Sequence, residues 1–286
     1  MNLSTIKIEE LLKKVEDFPT LPTIYNRMMD LMANPRTTAV DIANLISSDQ
    51  SAATKVLKTI NSPIYGLYGK ITSITQAINL IGFEEIKNLI TALTIIDLFG
   101  KHISDNILNP VDLWKHSIAV GIINRMIGIS VKASNIESYF LSGILHDIGK
   151  LFFMKVIPQL YSKVIEYSIE NRIYTRDAEM KLIGMTHTVI GDLLAEKWRL
   201  PIPIRLSIRH HTTGFVNDEY HPVVGSVHIA NIAASTLGLG YKWMHYVHQP
   251  NIEVWKNLGL QEDFFVKNFN RIHLDYVESI NLLLKI

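Results

Sequence analysis

Apolar residues recur three and four positions apart along almost the whole chain, the spacing of one face of an α-helix. Ile8, Leu11, Leu12 and Val15 begin the pattern. It stops before Pro19 and Pro22, whose ring and missing N–H bar a helix interior. Ile24, Met28, Leu31 and Met32 predict a second helix ending near Asn34 and Pro35. Thr38 with Asp41 three residues later reads as a capping box, opening a short helix through Leu45 and Ile46. Asp49 is placed to cap the next helix, which runs to Asn61 and is closed by Ser62 and Pro63. Ser73 with Gln76 repeats the capping logic, and Gly82 ends that helix. A longer helix is expected over Phe83–Phe99, stopped by Gly100.

The stretch KHISDNILNP interrupts the periodicity, and Pro110 is placed to open a new helix. The boundary between two helical lobes is set here, giving lobes at 1–105 and 106–286. Phe99, Ile103, Ile107 and Leu108 are available to pack the lobes into one unit. Further helices are expected near 111–129, 135–154, 158–171, 175–183, 186–198, 202–212, 221–237, 251–257 and 261–284. Val223, Val224 and Val227 favour a strand by propensity, but Ala230, Ile232, Ala233 and Ala234 continue the segment at helical spacing. No internal period of the length used by helical repeats recurs, which argues against a solenoid. The expected fold is an all-α, two-lobed helical bundle.

Composition narrows the function. The 286 residues are 48% hydrophobic, enough for a well-buried core. Twenty-eight Lys and Arg against 27 Asp and Glu leave a net charge of +1, so no global field draws the chain to nucleic acid or anionic lipid. The absence of cysteine excludes disulfides and thiolate metal sites. The N-terminal MNLSTIKIEELLKKVEDF lacks the apolar stretch of a signal peptide, and no uninterrupted apolar run is long enough to span a membrane. A cytoplasmic protein without a membrane partner is expected.

The candidate chemistry lies in the histidines, of which there are 11. The stretch GILHDIGK sets His146 beside Asp147 on a helix, with Lys150 within one turn of both. His116 lies in LWKHSIAV with Asp112 one turn earlier. His187 opens THTVIGDLLAEKW, and His210 and His211 close IPIRLSIRHH, flanked by Arg205 and Arg209. Imidazole and carboxylate donors together suit Fe, Mn, Ni or Zn, and Lys150 and Arg209 could hold a phosphate. Residues on separate helices meet readily in the core of a bundle. His102, His221, His245, His248 and His273 are read as ordinary core or surface histidines.

GILHDIGK, with WKHS upstream and THTVIG, WRLP and IRHH downstream, resembles the HD superfamily of metal-dependent phosphohydrolases. FPTLPTI, DIANLISSDQSAATKVLKTINSP and ITSITQAINLIG sharpen this to the HDOD family, a regulatory relative of the HD and HD-GYP proteins. The resemblance covers roughly residues 10 to 240. It implies a metal-ligand set of Asp112, His116, His146, Asp147, His187, His210 and His211, with Lys150 near the substrate. Two departures stand out. The segment VHIANIAAS offers Asn231 where active relatives carry a final Asp. HHTTGFVNDEYH lacks both the Glu and the Gly-Tyr-Pro loop of HD-GYP enzymes, against cyclic dinucleotide hydrolysis.

The resemblance therefore implies a stand-alone regulatory module of bacterial signal transduction, acting by binding a signalling protein or a nucleotide without turnover. Asn61, Ser62, Pro63 and the turn PIYGLYGKITS are its candidate contact elements. The alternative is a metal-dependent phosphohydrolase in which Asp147 and Lys150 would be catalytic. DIANLISSDQSAATKVLKTI superficially fits a helix-turn-helix, yet it offers a groove only Gln50, Lys55 and Lys58, so a nucleic-acid partner is not expected.

Overall fold

A computed structural model describes residues 7–63, 65–67, 69–99, 109–240 and 246–284. The N-terminal lobe holds α1 (Ile8–Glu16), α2 (Thr23–Ala33), α3 (Ala39–Ser47), α4 (Gln50–Ile60), α5 (Ile74–Ile81) and α6 (Phe83–Phe99). The capping residues act as their chemistry predicts. The Thr38 hydroxyl accepts from the Asp41 amide while the Asp41 carboxylate accepts from the Thr38 amide. Asp49 accepts from the Ser51 and Ala52 amides at 2.9 and 3.0 Å. Ser73 accepts from Gln76, and Gly82 ends α5 at a φ of 91°, which disfavours a side chain.

The second lobe runs through α7 (Pro110–Ser130), α8 (Ile136–Leu145), α9 (Ile148–Val156), α10 (Pro158–Asn171), α11 (Thr175–Leu182), α12 (His187–Lys197) and α13 (Ile202–His210). A two-residue hairpin follows, β1 (Phe215–Val216) with β2 (Glu219–Tyr220), turned by Asn217 and Asp218 at positive φ. Then come α14 (Pro222–Thr236), α15 (Ile252–Leu258) and α16 (Phe264–Leu284). The valine-rich segment is helical, since Val224 and Val227 are wholly buried on one face of α14. One expectation is corrected: the helix predicted over 135–154 is two helices, broken at His146 and Asp147. The Asp147 backbone leaves helical geometry at φ −106° and ψ 18°, while both side chains stay buried.

The predicted lobe boundary lies outside the described residues, as do Ile103, Ile107 and Leu108, but the larger of two core clusters draws on helices from both sides of it, the smaller joining α7 to α14, α15 and α16. One cluster of buried apolar side chains runs from Leu11 in α1 to Ile208 in α13. The FPTLP stretch is its plug. Phe18 stacks on Phe99 with ring centroids 5.4 Å apart and meets Phe152 at 5.2 Å, while Trp198 closes the group at 6.3 Å from both Phe18 and Phe99. Trp198 Nε1 donates to the Pro19 carbonyl at 3.1 Å, and the Lys197 ammonium donates to the carbonyls of Val15, Glu16 and Phe18. The second strap is polar: Tyr65 donates to Glu137 at 3.1 Å, and Arg125 pairs with the same carboxylate at 2.8 Å. Asn61, expected on a contact surface, spends its amide on Leu57 and Ile71 and so braces its own loop. Among the described residues no helix is long and apolar enough to cross a membrane.

A core shared this way should melt as one. Phe18→Ala should cost about 3–5 kcal/mol and keep a single transition in urea, followed by circular dichroism and tryptophan fluorescence together. Two separated transitions would show instead that the lobes fold independently.

Candidate metal centre

Helix ends build this site. His146 is the C-cap of α8 and Asp147 the N-cap of α9, His187 is the first residue of α12, and His211 caps the end of α13. His116 comes from the first half of α7, a long helix most of whose residues are buried. The approach of α9 to α12 depends on Gly149, because a Cβ there would lie 1.9 Å from the His187 carbonyl oxygen. Gly240, at a φ of 111°, lets the chain after α14 fold against the His116 backbone, where a Cβ would lie 2.4 Å from the amide nitrogen. The GK of GILHDIGK thus supplies both the close approach and the lysine.

All five side chains are buried, and they point the same atoms inward. Four imidazoles present Nδ1 to an acceptor: His116 to Leu239 O at 3.2 Å, His146 to Gly143 O at 2.7 Å, His187 to Glu179 Oε2 at 2.7 Å and His211 to Ile208 O at 3.1 Å. A carbonyl or carboxylate can only accept, so Nδ1 carries the proton in His146, His187 and His211 and their Nε2 keeps a lone pair, whereas His116 has an oxygen acceptor at both ring nitrogens, Leu239 O at Nδ1 and Asn231 Oδ1 at Nε2. The Nε2 atoms of His146, His187 and His211 lie 3.2, 3.3 and 3.5 Å from the oxygens of Asp147. His116 Nε2 lies 2.9 Å from the Asn231 side-chain amide. Two groups result that could hold a metal, His116 with His146 and Asp147, and Asp147 with His187 and His211. Asp147 belongs to both.

Such a convergence sets acceptor against acceptor and is repulsive without positive charge among the atoms. Lys150 provides some of it, 2.7 Å from Asp147 Oδ2. Among the described residues the buried Nε2 atoms of His146 and His187 have no hydrogen-bond partner. The inward separations fit an ion: metal–nitrogen bonds of ~2.1 Å place neighbouring ligands about 3.0–3.4 Å apart. Nitrogen and carboxylate donors without thiolate suit a divalent transition metal. Protonation agrees. Burial holds His116 down to about 3 and His211 well below its ordinary value, so both are neutral at pH 7. Burial alone would raise the Asp147 carboxyl, but the positive charge beside it, with the Lys150 ammonium 2.7 Å away, outweighs that and holds it well below the ordinary value.

Not every expected ligand joins the cluster. His210 turns away and lines a separate surface groove with Thr213, Phe215 and His228. Paired histidines at a helix end point in different directions, and here only His211 faces inward. Asp112 is buried one turn before His116, yet it pairs with Lys115 at 3.5 Å and lies outside both groups. Arg209 does not line the cavity beside the cluster, so the phosphate role expected of it finds no support. Arg205 is engaged with Asp192 and Glu196.

Three residues at the site carry no signal in the sequence. Glu179 is wholly buried behind His187. His228 donates to the His211 carbonyl at 2.9 Å and accepts from the Asn251 amide, fixing the loop behind that ligand. His248, expected to be ordinary, stacks on Tyr174 with ring centroids 3.9 Å apart at the mouth of the cavity. Burial and then Lys150 lower its pKa to about 4. The cavity between this stack and the cluster holds about 40 Å³ and is lined by Lys150, Arg176, Thr212, Asn231 and several isoleucines. That is space for a water or two.

Comparison with known proteins follows the same lines. The HDOD domain family model matches residues 18–213. An uncharacterized protein of Treponema pallidum (strain Nichols) is 26% identical over 223 residues, which are 77% of this chain and 42% of that protein. The chain thus spans less than half the length of that relative. An HDOD domain protein of unknown function from Geobacter sulfurreducens superposes with a TM-score of 0.73 at 25% identity, covering 97% of this chain and 99% of that one. A protein of Shewanella amazonensis SB2B, provisionally named a phosphohydrolase, reaches 0.74 at 20% identity over 96% and 97% of the two chains. A Marinobacter aquaeolei VT8 protein, provisionally named for signal transduction, reaches 0.74 at 21% identity over 96% of this chain and 65% of that one. These last two likenesses are of fold.

The geometry generates two predictions. Gly149→Ala should push His187 out of the cluster and abolish metal uptake, read by elemental analysis of the purified variant; uptake equal to wild type would contradict the packing argument. In chelator, stability should fall as pH drops from about 6.5 toward 5, because the unfolded chain takes up protons that the folded one refuses at His116 and His211. The slope is about 1.4 kcal/mol per pH unit for each of the two. Asp147, depressed below this window, adds nothing to it. His116→Gln should flatten the slope in urea titrations at pH 7, 6 and 5, whereas a pH-independent wild type would contradict the assignment.

Proposed function

The chain belongs to the HDOD family, and from that premise we propose that it is a regulatory module of signal transduction built around a divalent metal centre, acting through a protein partner rather than by turnover. One observation carries the reading. The donor cluster brings four imidazoles and a carboxylate together, yet the space beside it holds only about 40 Å³ and is lined in part by the stacked rings of Tyr174 and His248. Sites for nucleotide-sized molecules need several hundred Å³. His116, His146, Asp147, His187 and His211 would hold the ion, which is Fe, Mn, Ni or Zn by donor type. When bound, the ion supplies a localised positive charge that replaces mutual repulsion by attraction and ties α7, α9, α12 and α13 together. A change in occupancy then changes the rigidity of the whole lobe, and through the shared core that of the N-terminal lobe, where a partner would feel it.

A second reading has its own support. Lys150 on Asp147, and Arg176, which donates to Thr212 at the cavity mouth, place two cations where a small phosphate ester could enter. A bound metal would there add Lewis-acid charge and activate water. Against it stands Asn231, a neutral amide beside His116 where relatives of the resembling type carry a carboxylate.

Metal titration by calorimetry with a parallel phosphodiester and phosphomonoester assay separates the two. Wild type should bind one or more divalent ions and turn over neither ester. Asn231→Asp should tighten the ion without conferring hydrolysis, because an anion replaces a neutral donor beside a divalent cation. Robust wild-type turnover would overturn the regulatory reading, and unchanged affinity in Asn231→Asp would remove Asn231 from the centre.

A further inference from the structure

Among the four inward-facing imidazoles, His187 alone leans on a charged group. The Nδ1 atoms of His116, His146 and His211 face backbone carbonyls, whereas His187 Nδ1 donates to the Glu179 carboxylate. We propose that Glu179 is a positioning residue of the metal centre, which supplies through His187 part of the negative charge that Asn231 withholds and so makes the Asp147, His187 and His211 group the tighter one. The proposal rests on the metal-centre reading above and adds a ranking of its two halves.

The surroundings of Glu179 are those of a deliberately held anion. Helix α11, TRDAEMKL, is polar, and only Thr175, Ala178 and Glu179 are buried on it. Its carboxylate is wholly buried and hydrogen-bonded on both oxygens. Oε1 accepts from the Tyr161 hydroxyl at 2.8 Å, and Oε2 accepts from the His187 amide at 2.8 Å and from His187 Nδ1 at 2.7 Å. The His187 amide is at the N-terminus of α12, where the helix dipole favours a negative group. Three donors satisfy a buried ionised carboxylate, and three are what the fold provides.

The consequence passes along the ring. A carboxylate fixes the Nδ1–H tautomer and orients Nε2, which lies 3.3 Å from Asp147 Oδ1. It also raises the basicity of that nitrogen more than a carbonyl can, the arrangement by which carboxylates commonly stand behind metal-bound histidines. On the opposite half the group behind His116 Nδ1 is only the Leu239 carbonyl, at 3.2 Å, and the side chain at its Nε2 is the neutral amide of Asn231, whose Oδ1 lies 2.9 Å away. The centre therefore has a charged flank at His187 and a neutral one at His116.

The test is Zn2+ titration by calorimetry on full-length protein, joined to 15N NMR of the histidine rings in chelator. Glu179→Gln should weaken the first ion by 10–100-fold, and His187 should lose its pure Nδ1–H tautomer in the metal-free protein. Adding Asn231→Asp to Glu179→Gln should recover much of the affinity while leaving the His187 tautomer mixed. Should Glu179→Gln fail to fold, Glu179→Asp keeps the anion but withdraws it from the ring, and intermediate affinity is expected. Affinity equal to wild type in either folded variant, or an unaltered His187 tautomer in Glu179→Gln, overturns the positioning role while the metal centre stands. Wild type that takes up no ion overturns both.

Discussion

A single buried carboxylate organises the second lobe. Asp147 has its oxygens within 3.5 Å of three imidazole nitrogens and within 2.7 Å of an ammonium, in a place that water does not reach. An anion so placed must be surrounded by polar partners, and each partner here is delivered by a different helix end. The break between α8 and α9, the contact of Gly149 on α12, and the caps of α12 and α13 all serve that arrangement. The apolar core stabilises the bundle, but the carboxylate and its neighbours decide how the helix ends must meet.

Much of this was legible in the chain. The helices from α2 to α7 begin and end close to where capping residues, prolines and glycines place them, because those signals act within a few residues. The histidines and Asp147 were legible through spacing and resemblance. What escaped was whatever depends on direction rather than on identity. His210 and His211 are equivalent as letters, yet helix geometry turns one inward and the other to a surface groove. Asp112 shares a helical face with His116 but meets Lys115 before it meets the cluster. The long helix assumed over 135–154 has unbroken periodicity, and only the tertiary demand on His146 and Asp147 breaks it. Glu179 and His228 act on ligands distant in sequence, so no local pattern announces them.

The N-terminal helices and the second lobe share packing on both sides of the expected boundary. Phe18 of the N-terminal segment sits among Phe99, Phe152 and Trp198, and Lys197 holds three carbonyls of that segment. α12 therefore joins the site at its first residue, His187, to the N-terminal lobe at its last turn. A displacement of a few tenths of an ångström at either end is conveyed by a rigid rod of three turns.

The stack of Tyr174 on His248 bears on time rather than on affinity. With the ligands buried behind it, an ion leaving the cluster through the adjoining cavity would pass these rings, however weak or strong its bonds. Exchange would then be slow beside the fluctuations of free metal in a cell. A centre that exchanged so slowly would keep the ions present when the polypeptide folded, a memory of synthesis conditions rather than a running measure of its surroundings.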